Sequence, residues 1–205
     1  MIGSALASEL LNRNYDVIVL TRSPEKYLNT SRLSYAKWDI DTQTIDGDAV
    51  TKSDYIVHLA GEGVADKRWT PKRKRQIAQS RIDGGALLVK GLQENVNNVR
   101  AVVSASGIGW YGSPSLTGRG TEKDPFDETD PAADDFLGTT CQQWEASIDP
   151  VVGLGKRLVK LRTGPVLTKE DGVIKEFKRP LKFGLATILG SGRQIMSWIH
   201  VDDLV

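Results

Sequence analysis

Residues 16–24, Asp-Val-Ile-Val-Leu-Thr-Arg-Ser-Pro, decide the fold. Val17 to Leu20 form an unbroken apolar run rich in β-branched side chains, which predicts a strand over Asp16–Thr21 covered on both faces in a parallel sheet. Upstream, Ile2, Ala5, Leu6 and Leu10 recur at helical spacing, and Asn12 to Asn14 supply an exit, so the chain opens inside a helix. Downstream, Ser34–Trp38 reads as a weaker strand. Asp54–Leu59 is a strong one, running into Ala60-Gly61-Glu62-Gly63, where small residues let the backbone turn tightly. Thr70 and Pro71 suit the N-cap and first position of a long helix reaching about Leu92. Further strands are read at Ala101–Ala105 and around Arg157–Leu161, with a helix over Phe136–Ile148 between them. Strands separated by helices of this length imply right-handed parallel crossovers, hence an α/β class with a doubly wound parallel sheet.

A chain of 205 residues, 40% hydrophobic and 26% charged, suits one domain spanning residues 1–205. Lys and Arg total 27 against 26 for Asp and Glu. That balance lacks the positive field that binds a polyphosphate backbone, so nucleic acid is not an expected partner. Cys141 is the single cysteine, which excludes an internal disulfide framework and points to a reducing compartment, the cytoplasm. No apolar run reaches the roughly 18 residues a membrane span needs, so no membrane partner is expected. There is no internal repeat. Gly112–Asp135 is polar and too long for an ordinary connection, so it is either a functional loop or locally disordered; its carboxylates over Asp124–Asp135 show no ligand spacing and read as solvated. Lys72 to Arg75 reads as the solvated first half of the long helix. His58 and His200 are isolated, and no metal site is expected.

A series of short motifs occurs in order. They are Ile2-Gly3-Ser4-Ala5-Leu6, Leu20-Thr21-Arg22-Ser23-Pro24, His58-Leu59-Ala60-Gly61-Glu62, Arg68-Trp69-Thr70, Ser80-Arg81, Ser104-Ala105-Ser106 and Trp110-Tyr111-Gly112. Asp135-Phe136-Leu137, Trp144-Glu145, Arg162-Thr163-Gly164 and Trp198-Ile199-His200-Val201-Asp202-Asp203 complete it. The ordered set resembles the sugar-epimerase-like "epimerase family protein" branch of the atypical extended short-chain dehydrogenases/reductases, within the NAD(P)-dependent epimerase/dehydratase superfamily. The resemblance implies a Rossmann-type sheet. Members begin with a strand and a GGTGFIG-like loop whose glycines let the backbone approach a pyrophosphate. Only Gly3 matches that loop, and members also continue past the WIHVDD segment. The resemblance therefore implies a partial domain without the first strand, the glycine-rich loop and the C-terminal substrate-side region, and a 205-residue chain that by itself binds NADP weakly or not at all.

Arg22 stands just past a strand end, where NAD-specific Rossmann domains place an acid for the ribose 2′-hydroxyl. A cation there suits a 2′-phosphate, with Thr21 or Ser23 adding hydroxyl donors, so NADP is the expected cofactor in preference to NAD; a solvated turn arginine is the alternative. Leu59, Ala60 and Gly61 resemble the family's adenine-side wall, or else form a plain tight turn. Gln76 and Arg81 lie on the long helix, Arg81 where ordinary members keep an Asn facing sheet and cofactor; an exposed helix arginine is the alternative. Val166 resembles the segment whose backbone meets the nicotinamide carboxamide, or else is core.

Short-chain dehydrogenases move protons with a Tyr-x-x-x-Lys pair and an orienting serine. If Glu145 matches the family's glutamate one turn beyond that lysine, Leu137 and Cys141 fill the Tyr and Lys places, and the pair is missing. Ser106 and Tyr111 are the remaining candidates for catalysis, against a reading in which Trp110 and Tyr111 pack under the long loop. The sequence thus carries an NADP-dependent oxidoreductase or nucleotide-sugar epimerase-like function on a small polar substrate, the substrate class resting on the resemblance. Its rivals are an NADP-binding regulatory or sensor protein without turnover, and a non-binding remnant. A homo-oligomer is compatible with all three.

Overall fold

The stripe Ile2, Ala5, Leu6 and Leu10 forms helix α1 (Ile2–Asn12), and the DVIVLT run forms strand β1 (Val17–Thr21). These positions come from a computed structural model that describes residues 1–64, 67–113, 119–121, 123–169, 174, 178, 180, 183–184, 192 and 195–205. β1 pairs in parallel with β2 (Leu33–Asp39), from Val17 opposite Leu33 to Thr21 opposite Lys37. The weak strand signal at Ser34–Trp38 therefore marks a full strand, whose Trp38 is 8% exposed. β3 (Thr44–Ile45) adds to β2 antiparallel, and α2 (Gly47–Lys52) follows, its first turn capped by Asp46 accepting from the Ala49 amide.

β4 (Tyr55–His58), β5 (Ala101–Gly107) and β6 (Arg157–Thr163) form a second parallel sheet with β5 central. Helix α3 (Pro71–Glu94) connects β4 to β5, entered through Thr70, which accepts from the Arg73 amide, and Pro71 at its first turn. Helix α4 (Phe136–Ile148), continued by the short α5 (Pro150–Gly153), leads into β6. α4 packs along α3 and over β5. Leu87, Leu88, Val102, Ile148 and Val151 make the centre of the core, each at most 1% exposed. β7 (Val166–Leu167) pairs in parallel with β8 (Ile199–His200), and α6 (Val201–Leu204) then lies against α1. The molecule is thus α/β with parallel sheet order and crossover helices, in the Rossmann manner.

One expectation is corrected. β1 was read as a strand covered on both faces, but all five of its residues are only half-buried, and on β4 Tyr55 is 59% and Val57 40% exposed. Tyr55 and Val57 share one face of β4 and the better-covered Ile56 and His58 the other, so one face is left open; β1 and β4 are also each hydrogen-bonded along a single edge among the described residues.

Candidate functional site

The residues that follow β4 lie beside the start of α1. A Cβ on Gly3 would lie 3.8 Å from the Leu59 Cδ1 atom, and the Glu62 carboxylate feels the charge of Arg22. Thr21, Arg22 and Ser23 leave β1 together; the Ser23 amide donates to Thr21 Oγ1 at 3.4 Å, and Lys37 Nζ on the adjacent strand donates to the Arg22 carbonyl at 2.7 Å. Arg22 is exposed and makes no ion pair among the described residues. Leu59 and Ala60 are half-buried, and Gly61 is exposed.

The turn after β4 is pinned from α3. Arg73 donates to Glu62 Oε2 and to the Gly63 carbonyl, both at 2.8 Å, Ser80 Oγ accepts from the Glu62 amide at 3.1 Å, and Arg81 donates to the Glu62 carbonyl at 3.0 Å and the Ile77 carbonyl at 2.8 Å. The Arg73 contact holds the Glu62 carboxyl below the usual range. The basic run read as solvated is thus corrected at Arg73 and, less fully, at Lys74, which is half-buried with Nζ 4.9 Å from the Phe136 ring centre. Lys72 and Arg75 are exposed, but Arg73 is 7% exposed, because positions 73, 77 and 81 share the sheet-facing stripe of the helix. Arg81 is 8% exposed, so the exposed-arginine alternative is set aside. Its guanidinium lies 4.8 Å from the Trp144 ring centre and under Gly61, where a Cβ would come within 3.2 Å of Cζ. Burial lowers the Arg81 guanidinium from its ordinary value. Gln76 is exposed, one turn before Ser80.

The hydroxyl candidates lie at the end of β5 and in the turn Ile108–Tyr111 that follows it, beside an ion pair with β6 to which the sequence reading gave no role. Ser106 is buried at the end of β5, and its Oγ donates to Glu145 Oε1 at 2.7 Å. Arg162 on β6 closes a two-pronged pair with Glu145, Nε to Oε1 at 2.9 Å and Nη2 to Oε2 at 3.1 Å, and reaches the Tyr111 hydroxyl from Nη1 at 3.1 Å. Burial pushes the Glu145 carboxyl up, but Arg162 and Ser106 together hold it below its ordinary value. The same carboxylate raises the Arg162 guanidinium further. Lys160 Nζ stands 3.5 Å from Glu145 Oε2. Cys141, one turn before Glu145, is buried with Sγ 3.6 Å from the Gly107 carbonyl, and burial raises its thiol.

The described part of the long loop folds onto this site. Phe126 stacks on Tyr111 with ring centres 5.0 Å apart, the Asp130 carbonyl accepts from Trp110 Nε1 at 2.9 Å, and the Glu128 carbonyl accepts from Arg162 at 3.2 Å. Packing of Trp110 and Tyr111 under the loop is therefore real, and Tyr111 holds its bond to Arg162 as well. Asp130, read as solvated, is half-buried and paired with Arg119. Residues 114–118 and 122 of the loop lie outside the described residues.

Beside Arg162 opens a cleft of about 330 Å³, lined also by Ile108, Leu161, Thr163, Gly164, Trp198 and Leu204. A Cβ on Gly164 would collide with the Ser197 carbonyl, so only glycine lets these segments close together. Val166 is buried beyond that turn, opposite Ile199. Among the described residues no three His, Cys, Asp or Glu side chains gather as metal ligands, and no helix is long and apolar enough to cross a membrane.

The chain resembles known proteins along its whole length. A family model described as "NAD dependent epimerase/dehydratase family" matches residues 1–136. The chain is 34% identical over 206 residues to an epimerase family protein of Mycobacterium leprae and 36% identical over 208 residues to one of Staphylococcus haemolyticus. All of the chain is covered in both, but only 62% and 65% of those relatives, so it spans just under two thirds of their length. Among solved structures, a human epimerase family protein with NADPH matches at 28% identity and a TM-score of 0.76, covering all of this chain and 64% of that one. A nucleoside-diphosphate sugar epimerase of Corynebacterium glutamicum matches at 28% identity and a TM-score of 0.75, covering 100% of this chain and 40% of that one.

Proposed function

Because the chain belongs to the NAD dependent epimerase/dehydratase family, we propose that the whole protein holds NADP in preference to NAD and serves an oxidoreductase or epimerase-like reaction on a small polar substrate, such as a nucleotide sugar. The observation that carries the cofactor choice is Arg22, exposed at the end of β1 with its guanidinium uncommitted to any carboxylate among the described residues. A planar fork of N–H donors fits phosphate oxygens, and the Thr21 and Ser23 hydroxyls flank it. Glu62 does not cancel that charge by direct contact, since its carboxylate is taken by Arg73. Ala60 and Gly61 would accept the flat adenine, the first turn of α1 from Gly3 would face the pyrophosphate, and Val166 would meet the nicotinamide end. Arg81 stiffens the adenine-side turn from below, and Gln76 stands at its rim. The nicotinamide, when bound, supplies hydride exchange. Ser106 and Tyr111 would then meet the substrate oxygen from the end of β5 and the turn after it, and the neighbouring cleft would take the remainder of the substrate. A structural neighbour solved with NADPH and another named as a nucleoside-diphosphate sugar epimerase support this reading.

The reading without turnover has its own support, since Leu137 packs against Gly109 and Cys141 carries a raised thiol where a proton-moving pair would stand. The sole cysteine, free and buried, supports a cytoplasmic location. Calorimetric titration of the whole protein with NADPH and NADH tests the cofactor choice. NADPH binds more tightly, and Arg22→Ala erases the preference, a loss of about 1.5–3 kcal/mol or at least roughly tenfold in affinity. Equal affinities in the unmutated protein would overturn the proposal.

A further inference from the structure

Arginine carries five N–H donors and no acceptor, and an ionised carboxylate only accepts. These two facts set the direction of every hydrogen bond around the buried pair. Glu145 Oε1 takes the proton of Ser106 and the Nε–H of Arg162, while Oε2 takes Nη2–H. The Glu145 side chain is 4% exposed and that of Arg162 16%, and the Trp110 ring centre lies 3.7 Å from the guanidinium carbon. The two-pronged contact and the flat ring together leave the guanidinium one orientation. Its Nη1 carries two hydrogens, directed at the Glu128 carbonyl and at the Tyr111 oxygen. In that last contact the phenol oxygen must be the acceptor, so the Tyr111 hydrogen is turned to another partner. Ser106 is set in the opposite sense: its hydrogen is committed to Glu145.

We propose that Arg162, clamped by Glu145, is the positioning residue of this site: it occupies the acceptor side of the Tyr111 oxygen and so directs the hydroxyl hydrogen to an acceptor oxygen of the ligand, a carbonyl or alkoxide. Arg162 thus supplies from β6 the cation that the chain lacks at position 141 of α4. A cleft opens on the other side of Arg162, at Thr163 and Gly164, next to this contact. The inference deepens the reading of Tyr111 as a substrate-facing hydroxyl and rests on it.

Raman spectroscopy of the protein without added ligand tests the inference. The intensity ratio of the tyrosine doublet is high when a phenol oxygen accepts a hydrogen bond from a charged donor and low when the phenol donates. With 5 tyrosines in the chain, subtracting the Tyr111→Phe spectrum isolates the residue. The difference spectrum shows a ratio well above that of a phenol that only donates, and Arg162→Lys lowers it, because one ammonium cannot grip Glu145 and reach the phenol together. Arg162→Met lowers it too, and thermal unfolding of both variants shows that the fold is kept. Should Arg162→Met fail to fold, Arg162→Lys decides alone. A low ratio in the unmutated protein, or a high one that survives Arg162→Lys, overturns the inference. Because no cofactor is present, that result is separate from a failure of NADPH binding, which would strike at the proposed function instead.

Discussion

His58 closes β4 with its imidazole 5% exposed, between the Trp38 ring at 5.9 Å and Gly84 of α3. Its Nε2 has no hydrogen-bond partner among the described residues, and burial alone pushes its pKa from 6.5 down to about 4. A lowered folded-state value means that, between those limits, the unfolded chain binds a proton the folded one refuses. Stability is therefore full above about pH 6.5 and falls as pH drops toward 4, by about 3 kcal/mol in all. Denaturant midpoints measured across that range show this slope, and His58→Gln flattens it whatever its effect at neutral pH. An unchanged slope in the variant would assign the loss to other groups. Single residues differ in how far the sequence exposes them. The places of Arg22 and Gly61, just past the ends of β1 and β4, were legible because each follows an apolar run, where the direction of the chain is known. Arg73 was misjudged, since four basic residues in a row hide the one that the helical period turns inward. The Glu145–Arg162 pair left no local trace, because its members meet only through the packing of α4 on the sheet.

Helix α4 shows how an element carries the site. Asp135 accepts from the Gly138 amide at 2.7 Å and starts the helix, after which Leu137, Cys141 and Glu145 recur every fourth residue. That spacing puts them on one face, against Gly109, Gly107 and Ser106 in turn. Asp135→Ala removes the cap and costs about 1 kcal/mol, which lowers the melting temperature by about 2–4 °C in a chain of this size. Calorimetry of the variant checks it, and a melting temperature within error of the unmutated protein would show the first turn held by the loop instead. Elements with a long period or a dense β-branched run, α3, α4, β1 and β5, were all legible. β3 with two residues and α2 with six were not, since neither is long enough to show a period. β2 read as weak because Ser34, Lys37 and Asp39 interrupt it, although its pairing with β1 makes it a full strand.

Across the whole molecule, stability follows from how many edges of each strand are paired. β5 is bonded on both sides and lies under α4, with Val102 fully buried in a core it shares with Leu87, Leu88 and Leu92 of α3. β1 and β4 are bonded along one edge among the described residues. Successive amides of a strand point to opposite edges, so about half of those in β1 and β4 face the unpaired side. Such groups exchange with solvent through local opening, whereas the β5 amides exchange only when the core around Leu88 and Ile148 comes apart. Hydrogen exchange followed by NMR should place the β5 amides last, with alternate amides of β1 and β4 faster by orders of magnitude. An unpaired strand edge is also a template for another strand, so association would protect those amides in step with concentration. Exchange of β1 and β4 as slow as that of β5 in dilute solution would mean that both edges are covered within one chain, and would set aside the separation of β1 and β4 into different sheets.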